Sequence, residues 1–306
     1  MSDSLLVQPK LRPVGPYRRH GHAGNSVRRS NAVNPVGGLT RRQYQMLLLL
    51  SVHGWCTPRI IEGISRFYGF QGARTWTAEV LGLLRSGGYV ITSKALNGTR
   101  GIVYAVSEAG LLAIQPPREN LGLSRDVTRD PASLNHFLAL NRVFLRLINE
   151  FEVKFWLTDF QVRTDNMHYG TAGLAKDYDA VSEFLVQGLQ VRVGIEYEAS
   201  LKSASRYREL SASYASEKYL HLIIYILSGS AILKSIAPSF KSIGLRVCFV
   251  CEGDFLACGE GATAHFWQSD ELHKATITQL LNAVGKLGRP VYTPFSQLHA
   301  ANLPAF

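Results

Sequence analysis

Four residues in the second half of the chain have types and spacing that suit metal-ion chemistry. Asp179 precedes an apolar stretch, Glu196 and Glu198 lie two positions apart within "VRVGIEYEAS", and Lys202 follows shortly afterwards. This stretch is rich in Val and Ile and predicts a strand, in which Glu196 and Glu198 point to the same face. Because a carboxylate taken out of water is unfavourable unless it is paired or bound to a metal, these side chains either face solvent or hold a ligand.

Three carboxylates that converge from neighbouring strands would hold Mg²⁺ or Mn²⁺, since these ions take oxygen ligands and keep bound waters. Such an ion polarises a phosphodiester and lowers the pKa of an attacking water. In this hypothesis Asp179, Glu196 and Glu198 are the metal ligands and Lys202 stabilises the charge that builds up on the phosphate or orients the nucleophile. All four residues are then catalytic.

Simpler interpretations of the same residues stay open. The two glutamates could face water and pair with arginines, namely Arg192, Arg206 or Arg208. His136 has the position of a helix-face residue, and Tyr207 and Tyr214 have positions that favour packing on a sheet. A tyrosine that forms a covalent link to DNA has no motif here to support it.

The sequence favours a cytoplasmic protein. It has no N-terminal apolar segment of the signal-peptide type and no apolar run of the roughly 18 to 20 residues that a membrane helix needs. Cys248 and Cys251 have the spacing of zinc ligands. They lie in the apolar strand pattern "LRVCFVCEG", so buried thiols in a reducing compartment explain them better.

The net charge of +10 is concentrated near the N-terminus. Eight Lys and Arg residues occur from Lys10 to Arg42, and no Asp or Glu occurs between Asp3 and Glu62. Such a one-sided block suits a polyanion such as DNA, although a solvated tail is the alternative. Gly, Pro, Asn and Arg dominate residues 1–37, which we predict to be a disordered basic arm.

Residues 38–114 show the order of elements of a winged helix-turn-helix. Three helices are predicted, with Thr40 and Thr57 as N-caps of the first two and Gly87-Gly88 at the end of the third. Two β-rich runs then flank Asn97-Gly98, a strong hairpin signal, and a short helix follows.

In a winged helix the third helix enters the DNA major groove and the hairpin touches the backbone or minor groove. We therefore predict DNA contacts from the start of the first helix, the start of the third helix and the wing, at Arg41, Arg42, Gln71, Arg74, Thr75, Thr77, Lys94 and Arg100. The alternative is a winged helix used for protein contacts or dimerisation. The adjoining basic arm favours DNA.

We predict a linker at residues 115–131, a mixed α/β domain at residues 132–290 and a tail at residues 291–306. The predicted order in this domain is a helix from Ser133, three strands, a long helix, a buried strand, a short helix, another buried strand and a last helix over "DELHKATITQLLNAVGKL". The second and third strands would form an antiparallel hairpin through Gln187-Gly188, and the strand after the long helix would join in parallel. The predicted fold class is α+β.

Asp179 followed by Glu196-Tyr197-Glu198 resembles the PD-(D/E)XK nuclease core, whose order of elements is the one predicted above. More specifically, "YDAV…GIEYEASLKSASRYRELSASY" and "SLNHFLALNRV", which contains His136, resemble the replication-relaxation family of plasmid proteins. Two positions depart from the pattern. Tyr178 stands where that family has proline, and Glu198 stands where an active PD-(D/E)XK enzyme has Lys.

The resemblance implies a DNA-binding protein of a mobile element, with a relaxase-type centre that nicks DNA by hydrolysis or transesterification. It implies Asp179 and Glu196 as ligands of Mg²⁺ or Mn²⁺, Glu198 as a third ligand or a stand-in for the usual Lys, and Lys202 in the role of that Lys. A homodimer and other mobilisation or transfer proteins are further partners to expect. A non-catalytic DNA-binding regulator or accessory factor, and an endonuclease subunit of a transposition or restriction system, are the alternatives.

Overall fold

The computed structural model describes residues 38–70, 73–94, 101–114, 133–289, 292 and 294. The elements of the first part are α1 (Arg41–His53), α2 (Pro58–Phe67), α3 (Ala73–Ser86), β1 (Val90–Lys94), β2 (Ile102–Val106) and α4 (Glu108–Ala113). Thr40 and Gln43 form a capping box on α1, and Thr57 caps α2 ahead of Pro58 at its first turn. The predicted starts of both helices are therefore confirmed.

The elements of the second part build a seven-stranded sheet with helices on both faces. They are α5 (Leu134–Glu150), β3 (Glu152–Thr158), α6 (Asp159–Tyr169), β4 (Ala180–Val186), β5 (Leu189–Glu198), α7 (Ala204–Ser216), β6 (Leu222–Leu227), α8 (Ser230–Ile236), β7 (Val247–Cys251), α9 (Glu252–Cys258), β8 (Thr263–Gln268), β9 (Glu271–Thr276) and α10 (Ile277–Gly285). Short 3-10 helices occupy Gly170–Ala172, Ala237–Arg246 and Gly259–Gly261. The predicted α+β class is confirmed.

The strands of this sheet follow the order of the chain, β3-β4-β5-β6-β7-β8-β9. β5, β6 and β7 are parallel neighbours, and every other adjacent pair is antiparallel. The β4–β5 hairpin turns through Gln187 and Gly188, both with positive φ, as a two-residue hairpin turn requires. The predicted parallel joining of β6 after the long helix is confirmed.

Each face of the sheet packs against its own apolar cluster, because strand side chains alternate. Ile224 and Ile226 of β6 belong to the cluster that also contains the apolar stripe of α5 and the core of α1–α3. Ile223 and Tyr225 belong to the other cluster, together with Tyr207 and Tyr214 of α7 and residues of α8.

The first part packs directly on α5 through a buried polar contact. The amide of Asn141 donates from Nδ2 to the backbone oxygens of His53 and Trp55, at 3.0 and 3.1 Å, and its Oδ1 lies 3.1 Å from Nδ1 of His53. Burial lowers the pKa of His53 to about 4, so the imidazole is neutral at pH 7. A ring of α5, Phe137, also approaches so closely that a Cβ at Gly54 would collide with it.

Three stretches differ from the sequence prediction. The first strand, which the sequence predicts over "EVKFWLTDFQVRT", ends at Thr158, where a capping box with Gln161 starts α6 instead. A short helix, α9, follows β7. The stretch predicted as one last helix begins as strand β9, which pairs with β8 through a turn at Ser269 and Asp270, and only Ile277–Gly285 is helical.

Several predictions concern residues outside the described part of the chain. These are the basic arm at 1–37, the linker at 115–131, the wing turn at 97–98, Gln71, Arg100 and most of the tail at 291–306. Within that tail Tyr292 is buried and donates from its hydroxyl to Oδ2 of Asp165 at 2.7 Å. Among the described residues no helix is both long and apolar enough to cross a bilayer.

Candidate active site

Glu196 is buried near the end of β5 and forms an ion pair that the sequence did not predict. Its Oε1 accepts a hydrogen bond from Nζ of Lys176, a residue of the segment before β4. The side chains of Glu196 and Lys176 are 6% and 16% exposed. The Lys176 ammonium also lies 5.2 Å from the ring centre of Tyr178 and 5.8 Å from that of Tyr214. A cation is thus held beside a carboxylate that has almost no access to water.

Glu217 fixes the segment that carries Lys176. Its Oε2 accepts from the backbone N–H of Ala175 at 3.0 Å and from the hydroxyl of Tyr178 at 2.9 Å. Its Oε1 accepts from the N–H of Tyr219 at 2.8 Å. One buried carboxylate at the end of α7 therefore holds the chain on both sides of Lys176, at Ala175 and at Tyr178.

Glu198 lies two residues further along β5, and its buried carboxylate pairs with Lys202. Nζ of Lys202 donates to Oε2 of Glu198 at 2.9 Å, with the Glu198 side chain 4% exposed and the Lys202 side chain 44% exposed. The N–H of Lys202 donates to the hydroxyl of Tyr207 at 3.0 Å, which ties the loop to α7. Burial by itself lowers the pKa of Lys202, but the hydrogen bond and charge of Glu198 raise it overall. This lysine is therefore charged at neutral pH.

Asp179 lies just before β4 and contacts both β5 and α5. Its Oδ2 accepts from the backbone N–H of Tyr197 at 2.8 Å, and its Oδ1 lies 3.4 Å from Nε2 of His136. Burial by itself raises the pKa of Asp179, but the contact with His136 lowers it overall. Burial likewise lowers the pKa of His136, and the hydrogen bond and charge of Asp179 raise it overall. The pair is therefore an ion pair over part of the pH range.

A further carboxylate, that of Asp159 at the start of α6, lies next to this pair. Burial and the charge of Asp179 raise the pKa of Asp159 to about 6. Its Oδ1 is buried and has no hydrogen-bond partner among the described residues. Together these residues form what we call the charged cluster, which consists of His136, Asp159, Lys176, Asp179, Glu196, Glu198 and Lys202.

The register of the hairpin brings Asp179 and Glu196 together. Ala180 pairs with Ile195 across β4 and β5, so the residue before the first lies beside the residue after the second. The pKa of Glu196 is raised to about 7. Burial is the largest cause, and the nearby negative charge of Asp179 also raises it. The pairing of β4 with β5 therefore places Asp179 and Glu196 side by side, as predicted.

The predicted site with three carboxylate ligands is not formed by the described residues. Among the described residues, no three His, Cys, Asp or Glu side chains converge closely enough to hold a metal ion. The donor chemistry does suit a smaller set, because Mg²⁺ is commonly bound by one or two protein carboxylates and completes its octahedron with water and phosphate oxygens. Asp179 and Glu196, which the strand register places side by side, provide such a pair. All three carboxylates contact a basic side chain, namely His136, Lys176 and Lys202 respectively for Asp179, Glu196 and Glu198.

The arginines with described ion pairs have other partners than the simpler interpretation expects. Arg192 lies 3.5 Å from Glu183, and Arg206 pairs with Glu209 on the surface of α7. Within the described part of the chain, the ion pairs of Glu196 and Glu198 are with lysines. Of these, Lys202 was predicted from its position just after the strand, whereas Lys176 has no motif that marks it.

The residues predicted to contact DNA occupy different environments. Arg41, Arg42, Arg74 and Lys94 are exposed, and the guanidinium of Arg42 lies 5.7 Å from the ring centre of Trp76. Thr75 is exposed at the start of α3. Thr77 is completely buried, so its side chain faces the core and does not form part of the surface.

No model of a known protein family, no curated protein and no solved structure matches this chain.

Proposed function

We propose that the protein is a DNA-binding, metal-dependent nicking endonuclease of relaxase type, and that residues 38–114 form a winged helix. The observation that carries the proposal is the charged cluster at the β4–β5 hairpin, where Asp179 and Glu196 meet on adjacent strands beside two lysines. The element order α5-β3-α6-β4-β5-α7-β6, with β5 and β6 parallel, supports it because, apart from the inserted helix α6, it is the order that the PD-(D/E)XK resemblance implies.

Five side chains of the charged cluster have a role in this proposal. Asp179 and Glu196 hold Mg²⁺ or Mn²⁺, which when bound polarises the scissile phosphodiester and lowers the pKa of the attacking water. Lys202 is the more exposed of the two lysines and stabilises negative charge on the phosphate. Lys176 is nearly buried and orients Glu196. His136 orients Asp179 through their contact.

DNA binding in the proposal rests on the first part of the chain. Exposed basic residues at the starts of α1 and α3, Arg41, Arg42 and Arg74, contact phosphates and base edges. The excess of basic residues near the N-terminus supports the same polyanionic partner.

A non-catalytic DNA-binding regulator is the second candidate. The observation that favours it is charge compensation, because Asp179, Glu196 and Glu198 each contact a cation of the protein. In that case the charged cluster stabilises the sheet domain and the protein occupies a DNA site without cutting it.

The two candidates differ in a nicking assay on supercoiled DNA that carries the region flanking the gene. We expect the wild type to produce nicked circles with Mg²⁺ or Mn²⁺, and Glu196→Gln and Asp179→Asn to lose roughly 10²-fold or more in rate. Glu209→Gln, which changes an exposed carboxylate of α7, is the matched control and should cut like the wild type. Calorimetry with Mn²⁺ alone should show binding that Glu196→Gln loses. If the wild type binds this DNA but neither cuts it nor binds Mn²⁺, the regulator is the correct function.

A further inference from the structure

A cavity of about 460 Å³ lies between α2, α5 and α9, and none of its lining residues belongs to the charged cluster. Its walls are strongly basic, because four arginines line it: Arg59, Arg66, Arg142 and Arg146. Ile60, Leu138, Leu145 and Leu256 supply apolar parts of the wall, and Thr57 and Asn149 add polar groups. We call this cavity the arginine pocket. Its volume suits a ligand of small-molecule size.

The positive charge of the arginine pocket is only partly compensated. Nη2 of Arg142 lies 2.8 Å from Oε1 of Glu252, and Nη2 of Arg146 lies 2.7 Å from Oε1 of Glu150. Arg59 and Arg66 are exposed and form no ion pair with any described residue. Two guanidinium groups therefore remain to attract an anion.

The two paired arginines are still partly exposed. The Arg142 and Arg146 side chains are 42% and 31% exposed, so each keeps part of its surface for a ligand. A guanidinium presents five N–H donors in a planar fork. An anion with several oxygens arranged around one atom can accept from more than one of these donors.

The two helices that supply most of the wall of the arginine pocket pack closely against each other. α2 and α5 approach so closely at Gly63 that a Cβ there would collide with the side chain of Leu145. Arg142 is further oriented by Glu252, whose other oxygen accepts from the hydroxyl of Tyr197 at 2.8 Å. Tyr197 lies between Glu196 and Glu198 on β5. The arginine pocket is thus connected by two contacts to the strand that carries the candidate active site.

We propose that the arginine pocket binds a phosphate ester, through Arg59 and Arg66 as the uncompensated charged groups and through the exposed parts of the Arg142 and Arg146 side chains. A bidentate guanidinium–phosphate contact suits this set of donors. Two sources supply this chemistry, a backbone phosphodiester of bound DNA and the phosphate of a free nucleotide. The inference does not depend on strand cleavage, because it concerns binding alone.

Binding measurements on the full-length chain test this inference. The variants are the double substitution R59A/R66A, which changes exposed residues that stabilise no described ion pair, and Arg208→Ala, an exposed arginine of α7 outside the arginine pocket. One arm measures a fluorescent 30-base-pair duplex by anisotropy over a salt series. The other measures dATP and inorganic pyrophosphate by calorimetry, without divalent ions.

If DNA is the source, R59A/R66A should bind the duplex at least about tenfold more weakly and lower the slope of log K against log salt by about 2, while Arg208→Ala changes little. If a free nucleotide is the source, the wild type and Arg208→Ala bind dATP or pyrophosphate, and R59A/R66A does not. If R59A/R66A binds all these probes as the wild type does, the inference is wrong. So does an equal loss in Arg208→Ala, because general surface charge then explains the binding. Neither result bears on the nicking assay.

Discussion

The ammonium of Lys176 and the carboxylate of Glu196 form an ion pair between two side chains that are 16% and 6% exposed. The residues are 20 positions apart, and the pairing of β4 with β5 brings them together. Without Lys176 the carboxylate would be buried with no compensating charge, so this lysine makes an acidic residue tolerable inside the sheet domain.

Replacing Lys176 by Met should therefore destabilise the protein in a pH-dependent way. We expect a loss of about 3 kcal/mol in the free energy of unfolding at pH 8, where Glu196 is ionised, and less than about 1 kcal/mol at pH 5, where it is protonated. Urea denaturation measures both values. K176M/E196Q should recover most of the loss at pH 8, and Lys241→Met, which removes an exposed pair with Asp270, should cost under about 1 kcal/mol at either pH. A loss for Lys176→Met that does not change with pH would contradict this explanation.

The raised pKa of Glu196 predicts how stability depends on pH. The folded protein holds this proton up to about pH 7, whereas the unfolded chain releases it near the ordinary value of 4.5. The folded state therefore binds more protons between pH 4.5 and 7, and the contribution of Glu196 to stability falls as the pH rises through that window, by a total on the order of 3 kcal/mol.

Denaturation curves at half-unit steps from pH 4.5 to 8 measure this effect. Glu196→Gln should gain stability relative to the wild type as the pH rises, because the amide has no proton to lose. Parallel pH profiles for the two proteins would show that the Glu196 carboxyl titrates normally. The same titration predicts that Mn²⁺ binding by the wild type strengthens through pH 7, since a ligand carboxylate must lose its proton.

Asn141 joins α5 to the end of α1, and its loss should weaken the whole fold. Asn141→Leu removes the donors to the backbone oxygens of His53 and Trp55 and leaves them buried without partners. We expect a decrease of roughly 2–4 kcal/mol in the free energy of unfolding, measured by urea denaturation. Asn149→Leu, on the exposed surface of the same helix, is the control and should change stability by less than about 0.5 kcal/mol. Similar losses in both variants would mean that the contacts of Asn141 contribute little.

Arg74 is exposed at the start of α3, the helix that enters the major groove in the proposed winged helix. Arg74→Ala should weaken binding to the specific DNA site by about 1–3 kcal/mol and affect binding to unrelated DNA less, because a base contact carries sequence information. Anisotropy titrations with both duplexes provide the comparison. Arg85→Ala, at the other end of α3, is the control. Unchanged specificity in Arg74→Ala would remove it from the recognition surface.

The parts of the fold that were predictable from the sequence are those with strong local signals. Thr40 and Thr57 mark helix starts, and the apolar run of β6 together with the Gln187-Gly188 turn marks strands correctly. The β8–β9 hairpin was missed because its turn, Ser269-Asp270, lacks the glycine that usually supplies positive φ. α9 was missed because it has only seven residues, too few for a periodic pattern.

In the charged cluster, Asp179, Glu196, Glu198 and Lys202 could be predicted because they lie on or beside one hairpin. Lys176 could not, since a single lysine in a loop has no pattern and only tertiary structure directs it to Glu196. Asp159, whose Oδ1 has no described partner, was not predicted either, because the start of its helix was predicted as part of a strand.

The apolar cluster that runs without interruption from α1–α3 into α5 and the sheet limits how the protein can be dissected. A fragment that ends at Ile114 would leave the faces covered by Phe137 and Phe144 open to water, and the complementary fragment would expose those rings. We therefore expect each fragment to aggregate when it is expressed alone. DNA binding and cleavage have to be separated by single substitutions in the full-length chain, because a truncated protein that shows no activity would have lost it through aggregation.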